Sequence, residues 1–320
     1  MGCYSQWHIV NRGVPQGSVL GPLLFNIFIN DLFYVPLHGT LSNYADDNTV
    51  GNKHEDINLL LSNVEEDAKS TIVWFDENDL QANPEKFQFT LFGKKKYEQL
   101  QISLDTHILT PMQEIKILGV TFDRDLTFSS HITKMCKRAS SQLNALKRIS
   151  YYLDIDSRLA AYKSFIKCIF EYCPIVWMFC SIGNRTKLDK LQERALRIVY
   201  LDNTSTYEQL LCKANLQSLS EIRLKCMLIE VYKSFNGLSP QYIQELFMSK
   251  HMNYELRDTN KFIQKKFRTK TYGYKSFTYM GAKIWNVLPS HIKNVNNLDE
   301  FKCKVDDWIK MGLHKNIIDF

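Results

Sequence analysis

The sequence predicts an α+β domain followed by a longer, all-helical and basic region. Three observations carry this. The first 128 residues combine short apolar runs bounded by turn residues with long stretches of helical period, the pattern of strands packed on helices. From residue 129 onward, apolar positions recur at helical spacing in one segment after another. The charge changes at the same place: residues 1–128 hold 9 Lys and Arg against 17 Asp and Glu, and residues 129–320 hold 31 against 17. The net charge of +6 therefore conceals a part of −8 joined to a part of +14. Such asymmetry suits metal-binding carboxylates in the first part and a polyanion-binding surface in the second. Two domains with unrelated surface charge would give the same count.

With 320 residues, 45% of them hydrophobic, the chain is long enough for a sizeable core. The 23% of charged residues is ordinary for a folded protein and excludes wholesale disorder.

The elements follow in order. In "GVPQGSVLGPLLFNIFINDL", Gly13 to Leu32, a Gly–Pro–Gly turn runs straight into apolar sequence. Leu23, Leu24, Ile27, Phe28 and Leu32 recur at helical spacing and predict a helix from Pro22 to Tyr34, packed by one broad face. Apolar segments around "LSNY" and "NTVG" flank "ADD" and predict a β-hairpin with acidic residues at its tip. The spacing of Ile57, Leu60, Leu61, Val64, Ala68, Ile72 and Phe75 predicts an amphipathic helix of about five turns. Strands are expected around "KFQFTLF" and "EIKILGVTFD", separated by the polar loop "GKKKYEQ".

Beyond "TFSSH", helices are predicted near 129–149, 156–180, 184–200, 206–214 and 219–236. Ser205 with Glu208 and Ser218 with Glu221 have capping-box spacing, so each pair can satisfy free backbone groups at a helix start. From about Pro240 turns become frequent, and the last eighty residues are expected to form a small subdomain of mixed structure. The resulting division is 1–128, 129–238 and 239–320.

The eight cysteines include no CxxC pair and no zinc-ligand spacing. Several lie in apolar helical stretches, where a reduced core thiol is the ordinary explanation, so a reducing intracellular setting, nucleus or cytoplasm, is expected. No secretory signal pattern opens the chain, and no membrane association is expected. The apolar "CIFEYCPIVWMFC" is too short to span a bilayer and predicts a buried helix pair broken at Pro174.

Chemistry concentrates in two places. Asp46 and Asp47 sit on the predicted hairpin turn, where both carboxylates can be aimed at one hard divalent cation. Aspartate is also favoured in turns for its own backbone hydrogen bonds. The second place is basic. Between Thr259 and Lys283 lie seven Lys and Arg, among them Lys265, Lys266, Arg268 and Lys270, with no acids and with interleaved Phe262, Phe267, Tyr272, Tyr274, Phe277 and Tyr279. Lys134, Lys137, Arg138, Lys147 and Arg148 occupy a helix that also lacks acids. Cations with aromatic rings suit a phosphate backbone and its bases, and a solvated basic face over an aromatic core fits as well.

"GVPQGSVLGPLLFNIFINDL" followed closely by "YADD" resembles two consecutive motifs of non-LTR retrotransposon reverse transcriptases of the jockey-like type. "WFDENDLQANPEKFQF" is similar to the next palm motif, and "KILGVTFDRDLTFSSHI" to the primer grip that leads into the thumb. "FEYCPIVW", "LQERALRIVY", "STYEQLL", "LSPQYI" and "IWNVLP" look like the C-terminal region of such elements, so the resemblance covers nearly all of the chain. It implies a partial polymerase palm of β-hairpin and strands packed on helices over residues 1–128. An all-α thumb and connection then covers 129–238, and a basic C-terminal helical region 239–320.

The implied activity is RNA-directed DNA synthesis by two-metal nucleotidyl transfer, using Mg²⁺ (or Mn²⁺), an RNA template, a DNA primer and deoxynucleoside triphosphates. Asp46 corresponds to the metal-binding carboxylate of the YxDD motif and Asp47 to its less direct partner. Pro15, Gln16 and Gly17, with Tyr44, match positions facing the template and incoming nucleotide, and Ser18 has no clear chemical role there. Lys86 matches a lysine that protonates departing pyrophosphate, and a solvated turn lysine fits it equally. Leu118 and Gly119 match the primer grip, or simply a buried strand and its turn.

The family also requires a third carboxylate and a fingers region upstream of Gly13, and "MGCYSQWHIVNR" contains neither Asp nor Glu. The resemblance thus implies an N-terminally truncated polymerase, inactive by itself. The alternatives are a non-catalytic nucleic-acid-binding remnant of a decayed mobile element, and a reading frame whose product never folds stably.

Overall fold

Pro22 has no N–H to contribute, which costs nothing in the first turn of a helix, and α1 runs from Gly21 to Ile29 around that turn. The structure, a computed structural model, describes residues 13–93, 97, 99–104, 107–247, 261–264, 266–269 and 273–313. The chain divides into two units, Met1–Gly119 and Val120–Phe320.

In the first unit the helix expected over 22–34 is shorter. After α1 the chain tightens into a 3-10 turn, Asn30–Tyr34, and leaves helical geometry at Val35, directly before Pro36. The broad packed face expected for it is also corrected. Leu32 is fully buried and Ile29 nearly so, packed with Trp74, but Leu23, Leu24, Ile27 and Phe28 are between 42% and 62% exposed. The edge formed by Phe25, Ile29 and Leu32, with the Phe28 ring 6.1 Å from that of Trp74, packs within the unit, and Leu23, Leu24 and Ile27 are left exposed.

The hairpin forms as expected. Strands β1 (Thr40–Tyr44) and β2 (Asp47–Gly51) pair antiparallel, with Thr40 opposite Gly51 and Tyr44 opposite Asp47, so Ala45 and Asp46 make the turn. Helix α2 spans Ile57–Glu77; the Asp56 side chain accepts from the N–H groups of Asn58 and Leu59, satisfying two of the free donors at its start. The strand expected at "KFQFTLF" is absent. Residues 87–92 are held without a ladder, by the Met112 N–H donating to Phe89 O (2.7 Å), the Thr90 hydroxyl donating to Met112 O (2.8 Å) and the Lys116 N–H donating to Gln88 Oε1 (3.1 Å). Two three-residue strands that the sequence does not announce follow, β3 (Ile102–Leu104) and β4 (His107–Leu109), paired antiparallel. The Ser103 N–H donates to Glu65 Oε2 (2.9 Å), which ties β3 to α2. Strand β5 (Glu114–Ile117) closes the unit.

The second unit opens with β6 (Val120–Asp123) and α3 (Ser129–Ile149). The helical region expected over 156–180 is divided into more pieces than its proline predicts: α4 (Ile155–Tyr162), a π-helical turn (Lys163–Lys167), α5 (Cys168–Glu171) and α6 (Pro174–Trp177). The break falls at Pro174 as expected, with Tyr172 extended and Cys173 left-handed at φ 46°. There follow α7 (Ile182–Tyr200), α8 (Tyr207–Ala214) and α9 (Leu219–Phe235). The capping box of α9 is Ser218 with Glu221, as expected. That of α8 is Thr206 with Gln209, one residue beyond the expected Ser205 and Glu208, because Ser205 donates to Asp202 instead. The tail adds α10 (Gln241–Gln244), α11 (Phe277–Val287), α12 (Ser290–Lys293) and α13 (Leu298–Lys310).

Two buried clusters fill this unit. One joins β6, α3 and α4 through α8 to the start of α9; the other joins the rest of α9 to α11, α12, α13, Phe247 and Phe262. The cysteines described are all free, Cys180 is buried, and Cys168, Cys173, Cys212 and Cys303 are exposed rather than core. Among the described residues no helix is long and apolar enough to cross a membrane.

Two measurements test this packing. Leu228, fully buried on α9, should cost about 2–5 kcal/mol on Leu228→Ala in urea unfolding, whereas Leu238→Ala at an exposed position should stay within about 0.5 kcal/mol. His131 is buried, its Nδ1 accepts the Thr121 N–H (3.3 Å), and desolvation followed by the Lys134 charge holds its pKa below the ordinary value. A depressed histidine favours the neutral ring in the folded state. Its contribution is therefore present above the unfolded-state pKa and lost as pH falls through it. The melting temperature should fall as pH drops from about 7.5 to 5, and His131→Asn should flatten that slope.

Candidate functional site

The hairpin is held at its base rather than its tip. Asp67, on α2, is 1% exposed. Its Oδ1 accepts the His38 N–H (2.7 Å), and its Oδ2 accepts the Gly39 N–H (2.9 Å) and the Asn52 side-chain amide (2.8 Å). A buried carboxylate needs such donors, and here they come from both strand ends. The approach demands glycine at 39: a Cβ there would lie 2.5 Å from Gly51 O and 3.0 Å from Asp67 Oδ2. The amphipathic pattern of α2 gave no sign of this clamp, since an acid on a helix normally marks the solvent face.

At the other end, Ala45 takes a left-handed φ of 52° and the Asn43 side chain donates to Ala45 O (2.8 Å) and Asn48 Oδ1 (2.7 Å). Asn48 in turn donates to Asp46 O (3.3 Å). These bonds fix the backbone of the turn and leave the carboxylates of Asp46 and Asp47 exposed beside the exposed ring of Tyr44.

Pro15, Gln16 and Gly17 form a second presented turn. The Ser18 N–H donates to Pro15 O (3.2 Å) and Gly17 has φ 84°, the left-handed value that the third position of a type II turn requires. Ser18 has a structural job: its Oγ accepts the Gly21 N–H (3.1 Å) at the start of α1. Lys86 ends a single 3-10 turn, Pro84–Lys86, capped by Asn83, and its side chain is exposed. Leu118 (φ 45°) and Gly119 (φ 83°) are the two left-handed residues between β5 and β6, as a two-residue turn of the primed kind requires. Among the described residues no hydrogen bond or ion pair joins the hairpin tip, the Pro15–Gly17 turn and Lys86. No group of three His, Cys, Asp or Glu residues that could hold a metal ion occurs either.

In the second unit, Lys134, Lys137 and Arg138 are exposed on α3. Lys266 and Arg268 are exposed as well, while Lys265 and Lys270 lie outside the described residues. The aromatic rings around them mostly face each other. Phe262 is buried against Phe247, Phe235 and Trp285, and Phe267 meets Tyr274 and Tyr279 edge-on, with centroids 6.3 and 6.0 Å apart.

A buried polar group that the sequence did not flag lies deeper. The Arg223 guanidinium, 3% exposed, sits 5.5 Å from the Trp177 ring centroid and donates to Ser220 Oγ (3.0 Å). Burial lowers its pKa, and raises that of the neighbouring Asp189 carboxyl against the pull of Arg223 and Arg185.

A turn rich in glycine and proline that opens an apolar helix, followed directly by a hairpin with two exposed aspartates at its tip, is the arrangement against which the comparisons are set. Residues 2–122 match the reverse transcriptase (RNA-dependent DNA polymerase) family. Over that stretch the chain resembles the reverse transcriptases. The chain is 28% identical over 235 residues to the probable RNA-directed DNA polymerase from transposon BS of Drosophila melanogaster, covering 68% of this chain and 26% of the relative. It is 30% identical over 204 residues to the RNA-directed DNA polymerase from mobile element jockey of the same fly, covering 59% and 22%. It is 27% identical over 209 residues to the jockey enzyme of Drosophila funebris, covering 61% and 22%. The aligned stretches thus span about a quarter of these curated relatives. No solved structure matches the chain. The jockey-like resemblance carried by "GVPQGSVLGPLLFNIFINDL" and "YADD" agrees with this similarity to RNA-directed DNA polymerases of mobile elements.

The geometry separates the duties of base and tip in this hairpin. Asp67→Ala leaves the part-buried N–H groups of His38 and Gly39 without their acceptor, at up to about 1–3 kcal/mol each. Hydrogen exchange should show the β1–β2 amides losing protection, while Asp46→Ala leaves them within about 0.5 kcal/mol of wild type.

Proposed function

We propose that this chain supplies the carboxylate hairpin, the template-facing turn and a nucleic-acid-contacting helical region to an RNA-directed DNA polymerase of a non-LTR mobile element. The observation that carries the proposal is the hairpin: its base is clamped by Asp67 while Asp46 and Asp47 stand exposed at the tip, within the stretch that matches the reverse transcriptases. In this reading residues 1–128 are part of a palm, 129–238 a thumb and connection, and 239–320 a basic C-terminal region. Pro15, Gln16, Gly17 and Tyr44 face template and nucleotide, and Leu118 and Gly119 bring backbone against the primer strand. Lys86, exposed at the end of the turn capped by Asn83, gives a proton to departing pyrophosphate in the same reading. The partners are an RNA template, a DNA primer and deoxynucleoside triphosphates, and the setting is the nucleus or cytoplasm.

Reverse transcriptases use divalent metal ions. The fit here is incomplete: Asp46 and Asp47 offer the hard oxygen ligands that Mg²⁺ or Mn²⁺ prefers, but the described residues bring no third ligand to them. Two carboxylates do not make up a two-ion site, so no step is assigned to a metal on these residues alone. What the chain itself does is present the tip, hold the turn that contacts the template and bind the phosphate backbone.

A primer-extension assay tests the proposal. The purified chain with RNA template, DNA primer, deoxynucleotides and Mg²⁺ should extend nothing. Residues 13–320 fused behind the upstream polymerase sequence of a jockey-type relative should extend the primer. Asp46→Ala in that fusion should reduce the rate by on the order of 100-fold or more, the loss of several kcal/mol of transition-state stabilisation. Extension by the fusion that survives Asp46→Ala would overturn the assignment.

A further inference from the structure

Helix α1 has no polar face. Its residues, Gly21–Ile29, include one polar side chain, Asn26, and its N-cap residue Leu20 already has helical backbone angles. Phe25 and Ile29, with Leu32 beyond the helix, pack toward Trp74. The other side carries Leu20, Leu23, Leu24 and Ile27 at positions i, i+3, i+4 and i+7, a single stripe about 10 Å long. These four are 63%, 56%, 50% and 62% exposed, and Val19 beside them is 95% exposed. A helix that is apolar on both sides is ordinarily buried on both.

Area, charge and symmetry together say what covers the stripe. With Val19 and the exposed part of Phe28 it presents on the order of 700 Å², close to the roughly 800 Å² that each partner gives to an interface of standard size and above what a soluble monomer ordinarily leaves contiguous. Residues 13–30 contain no Asp, Glu, Lys, Arg or His, and the first charge to follow is Asp31. A phosphate backbone or an anionic lipid surface finds no cation there. Two copies of the stripe meet without either burying a charge. The spacing of Leu20, Leu23, Leu24 and Ile27 also reads the same in both directions about its midpoint. Two antiparallel copies related by a two-fold axis therefore set Leu20 of one against Ile27 of the other, and Leu23 against Leu24, at the separation of about 8–10 Å that packed helices take.

We propose that the Leu20–Ile27 stripe is a two-fold interface on which a second copy of this chain docks, α1 against α1 in antiparallel. The pairing is independent of the polymerase reading, which is carried by the hairpin and its carboxylates. It accounts for a helix that the first unit covers on one side only.

Sedimentation velocity of the full chain across a concentration series tests the pairing. The chain should approach twice its 37.5 kDa as concentration rises and stop there. Leu23→Gln/Ile27→Gln changes only exposed side chains; it should keep the wild-type melting temperature and weaken the dimer at least about tenfold. Ile182→Gln, which removes an exposed apolar side chain of the second unit, should leave the dimer as it is. With p-benzoylphenylalanine in place of Leu24, photolysis should give a dimer-sized product whose cross-link maps to residues 19–28 of the other copy. A monomer at every concentration, a mass that grows past two copies, or a dimer untouched by Leu23→Gln/Ile27→Gln overturns the proposal. So does equal weakening by Ile182→Gln, a cross-link outside residues 19–28, or binding to phosphatidylserine vesicles in place of self-association.

Discussion

The second unit depends on one helix that belongs to two cores. Leu219 and Ile222, in the first turn of α9, pack into the cluster built from β6, α3 and α4 through α8. Leu224, Met227, Leu228, Val231 and Tyr232, further along the same helix, pack into the cluster built from α11, α12 and α13. The changeover falls at Arg223, whose buried guanidinium covers the Trp177 ring. Polar ties then lock the second cluster to the helix: the Tyr232 hydroxyl donates to Val295 O (2.7 Å), its ring stacks on Phe301 at 4.1 Å, and Lys225 and Gln217 both reach Asp306. A helix buried on more than one face cannot rotate or slide without opening both clusters, so α9 sets the register of everything on either side of it.

How much of this was legible depends on the length over which a pattern repeats. Helices α2, α3, α7 and α9 run for 21, 21, 19 and 17 residues, long enough for the 3.6-residue period to stand out, and each lies within a few residues of its expected bounds. The hairpin was legible because "ADD" interrupts two apolar runs. The three-residue strands β3 and β4 show too little alternation to be seen, and a 3-10 or π-helical turn has the same local composition as an α-helix. The capping box of α8 slipped by one residue because "STYEQ" offers two hydroxyls in succession, and the choice between them depends on Asp202, which holds Ser205 and Lys213. In the site, the two turns and their side chains came from local sequence. Asp67 did not, because its three donors come from residues 15 to 29 positions away.

The basic aromatic stretch near residue 262 divides its described rings between the core and contacts with one another. Its rings and charges alternate in a manner that suits single-stranded nucleic acid, yet Phe262 is a core residue and Phe267, Tyr274 and Tyr279 satisfy one another. The charges project where the rings do not. Helix α3 is simpler, since Ile132, Met135, Ala139, Leu143 and Leu146 take the buried stripe and its cations are left exposed.

The clamp at the foot of the hairpin has a consequence for how such a sequence ages. Asp67, Gly39 and Asn52 carry the folding constraint, and Asp46 and Asp47 carry none that the hydrogen bonds reveal. Selection for a soluble product and selection for chemistry therefore act on different letters of the same short segment. A copy released from the second pressure keeps its hairpin after its tip has drifted, and the shape of the element outlives its trade.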